Sequence, residues 1–199
     1  MQGKKLLKKI LGSCSLLLLT APAFADMSLP YGWYLEANAG STTITGNPYP
    51  GRVSASGVGY NGNLGYKFMP YIATEFGYTG YANSTVTNAA GAKAGLGKTY
   101  VFDLAAKGIL PFYNSGFEAF AKVGAQRIAT NMSLRNAAAA AGLGLSASSH
   151  SATGLYLGAG VEYYFMPEAA VVAQWARAQG SSATGNASLL TAGIQFIFG

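Results

Sequence analysis

The sequence predicts an all-β protein: eight antiparallel strands joined up-and-down and closed into a transmembrane β-barrel. Three observations predict it. Eight segments alternate apolar and polar residues with period two, each near the roughly 9–11 residues that cross a bilayer as a tilted strand. The connections alternate in length, short on one side and long on the other. Tyr and Phe crowd the segment ends, as interfacial side chains do.

Before the first strand, residues 1–25 read as a secretory signal peptide. Lys4, Lys5, Lys8 and Lys9 form its positive start, Ile10 to Leu19 its apolar centre, and Ala23-Phe24-Ala25 a cleavage site before Asp26. The alternative, lipidation of Cys14 after Leu11-Gly12-Ser13, has too little apolar sequence ahead of it. Residues 26–199 then form the barrel domain. Removal of the leader takes four of 13 basic residues and none of seven acidic ones, so a formal charge of +6 becomes +2. That balance gives no reason to expect nucleic acid. One Cys and one His exclude a disulfide scaffold and a Cys/His zinc cluster, and no cofactor is expected.

The strands follow in order. Strand one, Trp33–Ser41, sets Tyr34, Glu36, Asn38 and Gly40 against Trp33, Leu35, Ala37 and Ala39. Strand two, Val58–Phe68, sets Asn61, Asn63, Gly65 and Lys67 against Tyr60, Leu64, Tyr66 and Phe68. Strand three, Tyr71–Tyr81, opposes Glu75, Gly77 and Thr79 to Ile72, Phe76 and Tyr78. Strand four, Thr99–Leu110, opposes Asp103, Ala105 and Lys107 to Tyr100, Phe102, Leu104 and Leu110. Strand five, Phe117–Gln126, opposes Glu118, Lys122, Gly124 and Gln126 to Phe117, Ala121 and Val123. Strand six, Leu155–Phe165, opposes Gly158, Gly160 and Glu162 to Leu155, Leu157, Val161 and Tyr163. Strand seven, Ala169–Ala178, is less regular: Gln174 inward leaves Trp175 and Arg177 outward, where Arg177 can snorkel. Strand eight, Leu189–Phe198, opposes Thr191, Gly193 and Gln195 to Leu190, Ile194, Phe196 and Phe198.

Parity alone does not say which face is inside, because a soluble lipocalin-like barrel would bury the apolar one. The polar face carries many Gly, Ala and Asn, which suit a tight interior better than a solvated surface. Tyr66, Phe68, Tyr71, Tyr78, Tyr81, Tyr163 and Phe165 fit two interfacial girdles. The chain also ends at Phe198-Gly199, directly after the last strand. Short connections hold Met69-Pro70, Pro111–Gly116 and Met166-Pro167-Glu168, and the echo of FMPYIA in FMPEAA predicts two equivalent hairpins. Long connections cover about 42–57, 82–98, 127–154 and 179–188 and are rich in Ser, Thr, Asn, Ala and Gly. Ala137–Ala141 reads as part of an Ala/Gly-rich mobile loop, with a short helical turn as the alternative.

These features resemble the small eight-stranded outer-membrane barrels, such as the transmembrane domain of outer membrane protein A and its small relatives. Thr191, Gly193, Phe196 and Phe198 resemble the family's C-terminal assembly signal, although Gly199 follows the terminal aromatic. Tyr31-Gly32-Trp33-Tyr34 and the stretch Gly158 to Phe165 also match its habits. The resemblance covers residues 31–199 and implies a Gram-negative outer membrane, insertion by the barrel-assembly machinery, and a monomer. It does not carry over the peptidoglycan anchoring of longer relatives.

Eight strands leave an interior that side chains just fill. Glu36, Lys67, Glu75, Asp103, Lys107, Glu118, Lys122 and Glu162 point inward by parity and form a lumen charge network, structural or the gate of a narrow pore. Catalysis is not expected: His150, beside Ser148, Ser149 and Ser151, lies in the longest connection without rigid positioning. The long connections and their flanks hold Arg52, Lys93, Lys98, Arg127, Arg135 and Arg177 and no acid, which predicts contact with lipopolysaccharide. The expected role is structural and surface-interacting; a low-conductance pore and an adhesin for host surface molecules are the alternatives.

Overall fold

The computed structural model of the chain describes residues 31–45, 52–112 and 115–198. The leader, its cleavage site, Asp26 and Gly199 lie outside them. Ten strands form: β1 Gly32–Thr45, β2 Arg52–Ser54, β3 Ser56–Met69, β4 Ile72–Gly80, β5 Ser84–Thr87, β6 Lys93–Phe112, β7 Phe117–Leu134, β8 Ser148–Met166, β9 Ala169–Ala178 and β10 Asn186–Phe198. One short helix, α1, spans Ala137–Ala141. Eight of the strands close into a barrel in the order β1, β3, β4, β6, β7, β8, β9, β10, every neighbouring pair antiparallel. The seam joins first to last, from Trp33 opposite Phe198 to Thr45 opposite Asn186.

Period-two alternation produces the observed burial. Along β6 from Thr99 to Leu110, every second residue is buried and the intervening ones are exposed or half-exposed. The buried face is the lumen. The outer face leaves Leu104, Leu110 and Leu190 more than 60% exposed, beside Leu35, Phe76, Phe102, Val123, Ile194 and Phe196. A belt of this kind is far larger than the apolar patches of a soluble monomer, and hydrocarbon is its natural solvent. Gln174 faces in and Trp175 out, as parity requires of β9.

Aromatic rings mark both edges of the belt. Near the short turns, Trp33 meets Tyr66 edge-on at 5.2 Å, Tyr66 meets Phe68 at 4.8 Å, and Phe117 meets Tyr163 at 4.5 Å. Near the long connections, Tyr60, Tyr78, Tyr100 and Phe102 form a continuous cluster. Tyr81 departs from the expectation. It lies past the end of β4 and turns into the lumen, 6% exposed, where it packs on Val101, Ile128 and Tyr156.

The two echoed hairpins are equivalent in detail. Met69 pairs with Ile72 and Met166 with Ala169, so Pro70-Tyr71 and Pro167-Glu168 occupy the same two-residue turns. Each carries a register shift at the preceding aromatic, between Lys67 and Met69 and between Tyr164 and Met166. Proline fits because its fixed φ suits the first turn position and a turn needs no ladder hydrogen bond there.

The long-connection end differs from the sequence expectation. β6, β7 and β8 run for 20, 18 and 19 residues and project beyond the span a bilayer requires. Arg52, Lys93, Lys98, Arg127 and His150 therefore lie on strands rather than in loops. Outside hydrocarbon a strand needs no apolar face, so its Ser, Thr, Asn and Gly content reads as loop. β2 and β5 extend this projection as a small sheet, β2 on β5 and β5 on β6. Ala137–Ala141 is a helix, not a loop: the Asn136 side chain accepts from Ala139 N at 3.0 Å and caps it. Ala139 and Ala140 pack with Val86, Ala94, Met132 and Leu145 in a separate apolar core.

A closed ladder with no free edge resists detergent. Unboiled protein should migrate differently from boiled protein in dodecyl sulfate gels. Identical migration, with the protein recovered from the soluble fraction, would remove the barrel.

Candidate functional site

All eight inward charges of the sequence analysis are buried in the lumen, none more than 3% exposed. The network divides in two. In the centre, Lys107 and Lys122 are shared among three carboxylates. Lys107 pairs with Glu162 and lies 3.3 Å from Glu75 Oε1 and 3.9 Å from Glu36 Oε2. Lys122 lies 2.5 Å from Glu75 Oε2 and 3.8 Å from Glu36 Oε1. Toward the short turns, Lys67 pairs with Glu118 through contacts of 2.7 and 3.0 Å.

Neutral side chains complete these charges. Tyr34 donates to Glu75 at 2.7 Å. The amides of Asn38, Asn63 and Gln174 donate to Glu36 Oε1 at 2.6, 2.9 and 2.8 Å. Gln195 donates to the Tyr164 hydroxyl at 3.0 Å. The Phe120 ring faces both central ammoniums, 4.3 Å from Lys107 and 4.9 Å from Lys122, and Lys67 stands 5.4 Å over Tyr164. Gly65 makes room for this arrangement, because a β-carbon there would overlap the Tyr34 ring. Period two places Tyr34, Asn38, Asn63 and Gln195 on the inner face; which charge each meets is set by reach across the barrel, which parity does not contain.

Apolar layers lie on both sides of the central cluster, the lower one level with the Lys67–Glu118 pair. Tyr81, Val101, Ile128, Tyr156 and Leu189 pack at the long-connection end. Ala73, Ile109, Ala170, Val172 and Ile197 pack at the short-turn end. Asp103 stands apart from the ion pairs, on β6 between Val101 and Ala105 of the upper layer, and neither of its oxygens has a hydrogen-bond partner among the described residues.

The outer charges are segregated. Lys93, Lys98, Arg127 and Arg135 are exposed at the long-connection end, Arg177 is half-buried there, and β2 brings Arg52 to the same end. Among the described residues no Asp or Glu shares that outer surface, and the exposed acid, Glu168, lies in a short turn. Arg127 sits opposite Phe102 of the upper aromatic cluster and donates to Ser151 Oγ at 3.2 Å. His150 is exposed on β8, opposite Thr130. At the seam, Thr191 faces the lumen, Gly193 sits opposite Asn38, and Phe196 and Phe198 face outward opposite Leu35 and Trp33. Among the described residues, no group of three or more His, Cys, Asp and Glu side chains is placed to hold a metal.

A family model described as the outer membrane protein beta-barrel domain matches residues 11–198. No curated protein sequence matches the chain. Among solved structures, Neisserial surface protein A aligns with a TM-score of 0.62 at 19% identity, over 84% of this chain and 97% of that one. Pseudomonas aeruginosa OprG aligns with 0.58 at 15% identity, over 87% and 99%. The N-terminal barrel of Pseudomonas aeruginosa OprF aligns with 0.55 at 17% identity, over 83% and 97%. These likenesses are of fold.

Breaking a buried pair costs more than replacing it whole. Lys67→Met should lower unfolding stability in urea by about 3–5 kcal/mol, whereas Lys67→Met with Glu118→Leu should recover most of that loss. Equal loss in the single and double variants would show that the pair is not a closed unit.

Proposed function

The chain belongs to the outer membrane protein beta-barrel domain family, and from that premise we propose a monomeric structural and surface-interaction protein whose basic external end contacts lipopolysaccharide. The carrying observation is the charge segregation: Lys93, Lys98, Arg127, Arg135 and Arg177 gather at one end, with no described acid on the surface they share. In this reading the long-connection end faces outward, toward a phosphorylated leaflet. Basic groups beside an anionic membrane surface gain roughly 1 kcal/mol each, decaying within a Debye length. Arg127, level with the aromatic cluster, and Arg177, beside Trp175, are best placed to reach headgroup phosphates. The leader is cleaved after Ala25, and the protein performs no catalysis.

The layered lumen favours a plugged barrel over the pore reading. Side chains from all eight barrel strands fill the cross-section, with apolar clusters on both sides of the charged belt. The assembly signal also belongs to this proposal. Phe198 closes the seam opposite Trp33, where the barrel-assembly machinery would receive the last strand.

Two experiments test these points. Refolded barrel should bind lipopolysaccharide more weakly as salt rises, and Arg127→Gln with Arg177→Gln should lose on the order of tenfold or more in affinity. Salt-insensitive binding, or an unchanged double variant, would sink the lipopolysaccharide reading. Separately, Phe198→Ser should lower the amount of folded barrel in the outer membrane. Normal levels of that variant would mean the terminal motif carries no assembly role.

A further inference from the structure

Along the span the ladder is closed, but beyond it β8 outruns one of its two neighbours. The β8–β9 ladder ends where Tyr156 meets Ala178, followed by one last bond from Gln179 N to Leu155 O at 3.0 Å. The chain then turns back toward β10: Gly180 N donates to Asn186 Oδ1 and Ser181 N to Thr184 Oγ1. β8 itself extends outward as far as Ser148, paired on its other side with β7 up to Met132. Residues 148–153 therefore have one paired edge and, among the described residues, one free edge.

The ladder fixes which groups are free. In an antiparallel pair, alternate residues direct both N–H and C=O to the same neighbour. Tyr164 N bonds Gly116 O on the β7 side, and Leu155 O accepts from Gln179 on the β9 side. Even-numbered residues of β8 thus serve β7, and the β7–β8 register runs on without a shift. Ser149, Ser151 and Thr153 turn their N–H and C=O groups to the free edge, and none of these groups has a backbone partner among the described residues. Proteins blunt such edges with Lys, Pro or a bulge. The stretch Ser-Ser-His-Ser-Ala-Thr at 148–153 has none of the three, and Ser149, His150, Ser151 and Thr153 are exposed.

Charge indicates the occupant. Arg127 lies opposite Thr153, one strand in from the edge, and donates to Ser151 Oγ at 3.2 Å. Arg177 lies near the end of β9, directly below the place that a further strand would take, and its Nε is buried without a hydrogen-bond partner among the described residues. A second copy of the chain would bring the same cations to the edge. A two-fold axis along the membrane normal would also make the two tilted β8 strands cross instead of lying side by side.

We propose that the free edge of β8 at residues 148–153 receives an extended acidic segment of a partner protein as an added strand. The segment continues the line of β9 beyond Gln179. Its backbone pairs with Ser149, Ser151 and Thr153. Side chains opposite those three share their outward face, so carboxylates at alternate positions of the segment meet Arg127 and Arg177. Backbone pairing supplies affinity, and the two guanidiniums select acid over base. This goes beyond lipopolysaccharide contact and does not rest on it.

The probe is the capped peptide Thr-Glu-Thr-Glu-Thr-Glu-Thr, added at saturation to the refolded barrel in detergent, with hydrogen exchange read at single amides. Exchange at Ser149, Ser151 and Thr153 should slow on the order of tenfold or more, while His150 and Ala152, bonded to β7, should not change. A peptide with Lys in place of Glu, and the acidic peptide methylated on its Glu nitrogens, should produce no slowing. Ser151→Pro removes an edge N–H and leaves the β7 ladder intact; it should keep heat-modifiability and lose the response. If that variant fails to fold, the methylated peptide still separates strand pairing from charge attraction. No slowing with the acidic peptide, equal slowing with either control peptide, or an unchanged response in folded Ser151→Pro would overturn the proposal. Protection of the same three amides in peptide-free barrel, rising with barrel concentration, would give the edge to a second copy and overturn it too.

Discussion

In hydrocarbon the backbone has no water to bond, so every N–H and C=O along the spanning strands must find a partner within the protein. The β1–β10 seam meets that demand. Without it, Gly32–Thr45 and Asn186–Phe198 would each present an unpaired edge to lipid. Closure then dictates the rest. Eight strands give a lumen that side chains fill, and every second residue of each strand must face either that lumen or lipid. The composition follows: large apolar residues outward, Gly, Ala, Asn and charges inward.

Filling such a lumen with charge is a demanding solution. An isolated buried ion is costly, and a pair repays its desolvation when geometry and hydrogen bonds are both good. The central cluster achieves this by sharing. Two ammoniums serve three carboxylates, Tyr34 and three amides supply the missing donors, and the Phe120 ring faces both Lys107 and Lys122. Residues from seven strands, β1, β3, β4, β6, β7, β8 and β9, thereby become mutually dependent, which ties the cross-section together beyond its backbone ladder.

Much of this was legible in the sequence because period two is a strong signal wherever lipid enforces it. Leu104 and Lys107 differ in parity, and their fates are fixed by it. The proline-bearing turns were legible for the same local reason. Beyond the bilayer the signal fades. The outer parts of β6, β7 and β8 meet no hydrocarbon, and residues buried there, such as Gly97, Thr99 and Thr130, are small or polar, so the sequence carries no apolar–polar alternation that distinguishes strand from loop. β2, β5 and α1 owe their form to packing on that projection, through Val86, Ala94, Met132 and Ala139, which are far apart in sequence. Tyr81 misled because its ring was read ahead of its parity: it shares the parity of Glu75, Gly77 and Thr79, which face the lumen, and the ring finds an apolar seat inside. Among the lumen residues, membership was readable and partnership was not, because partners such as Lys67 and Glu118 are 51 residues apart and meet across the barrel.

The inward charges also serve as a register lock. β7 carries Glu118 and Lys122 inward and Ala121, Val123 and Arg127 outward. A slip of one residue against β6 would turn Lys122 toward lipid, at roughly 2–4 kcal/mol near the midplane, and strip Glu75 of the nearer of its two ammoniums. It would also carry Arg127 from the exposed rim into the lumen, beneath the apolar layer of Val101 and Ile128. An all-apolar lumen would impose no such penalty, since Ala, Val and Leu fit either face of a strand tolerably. Charge placed inside a barrel is thus costly for stability in isolation, yet it separates the native register from its nearest competitors more sharply than packing alone could.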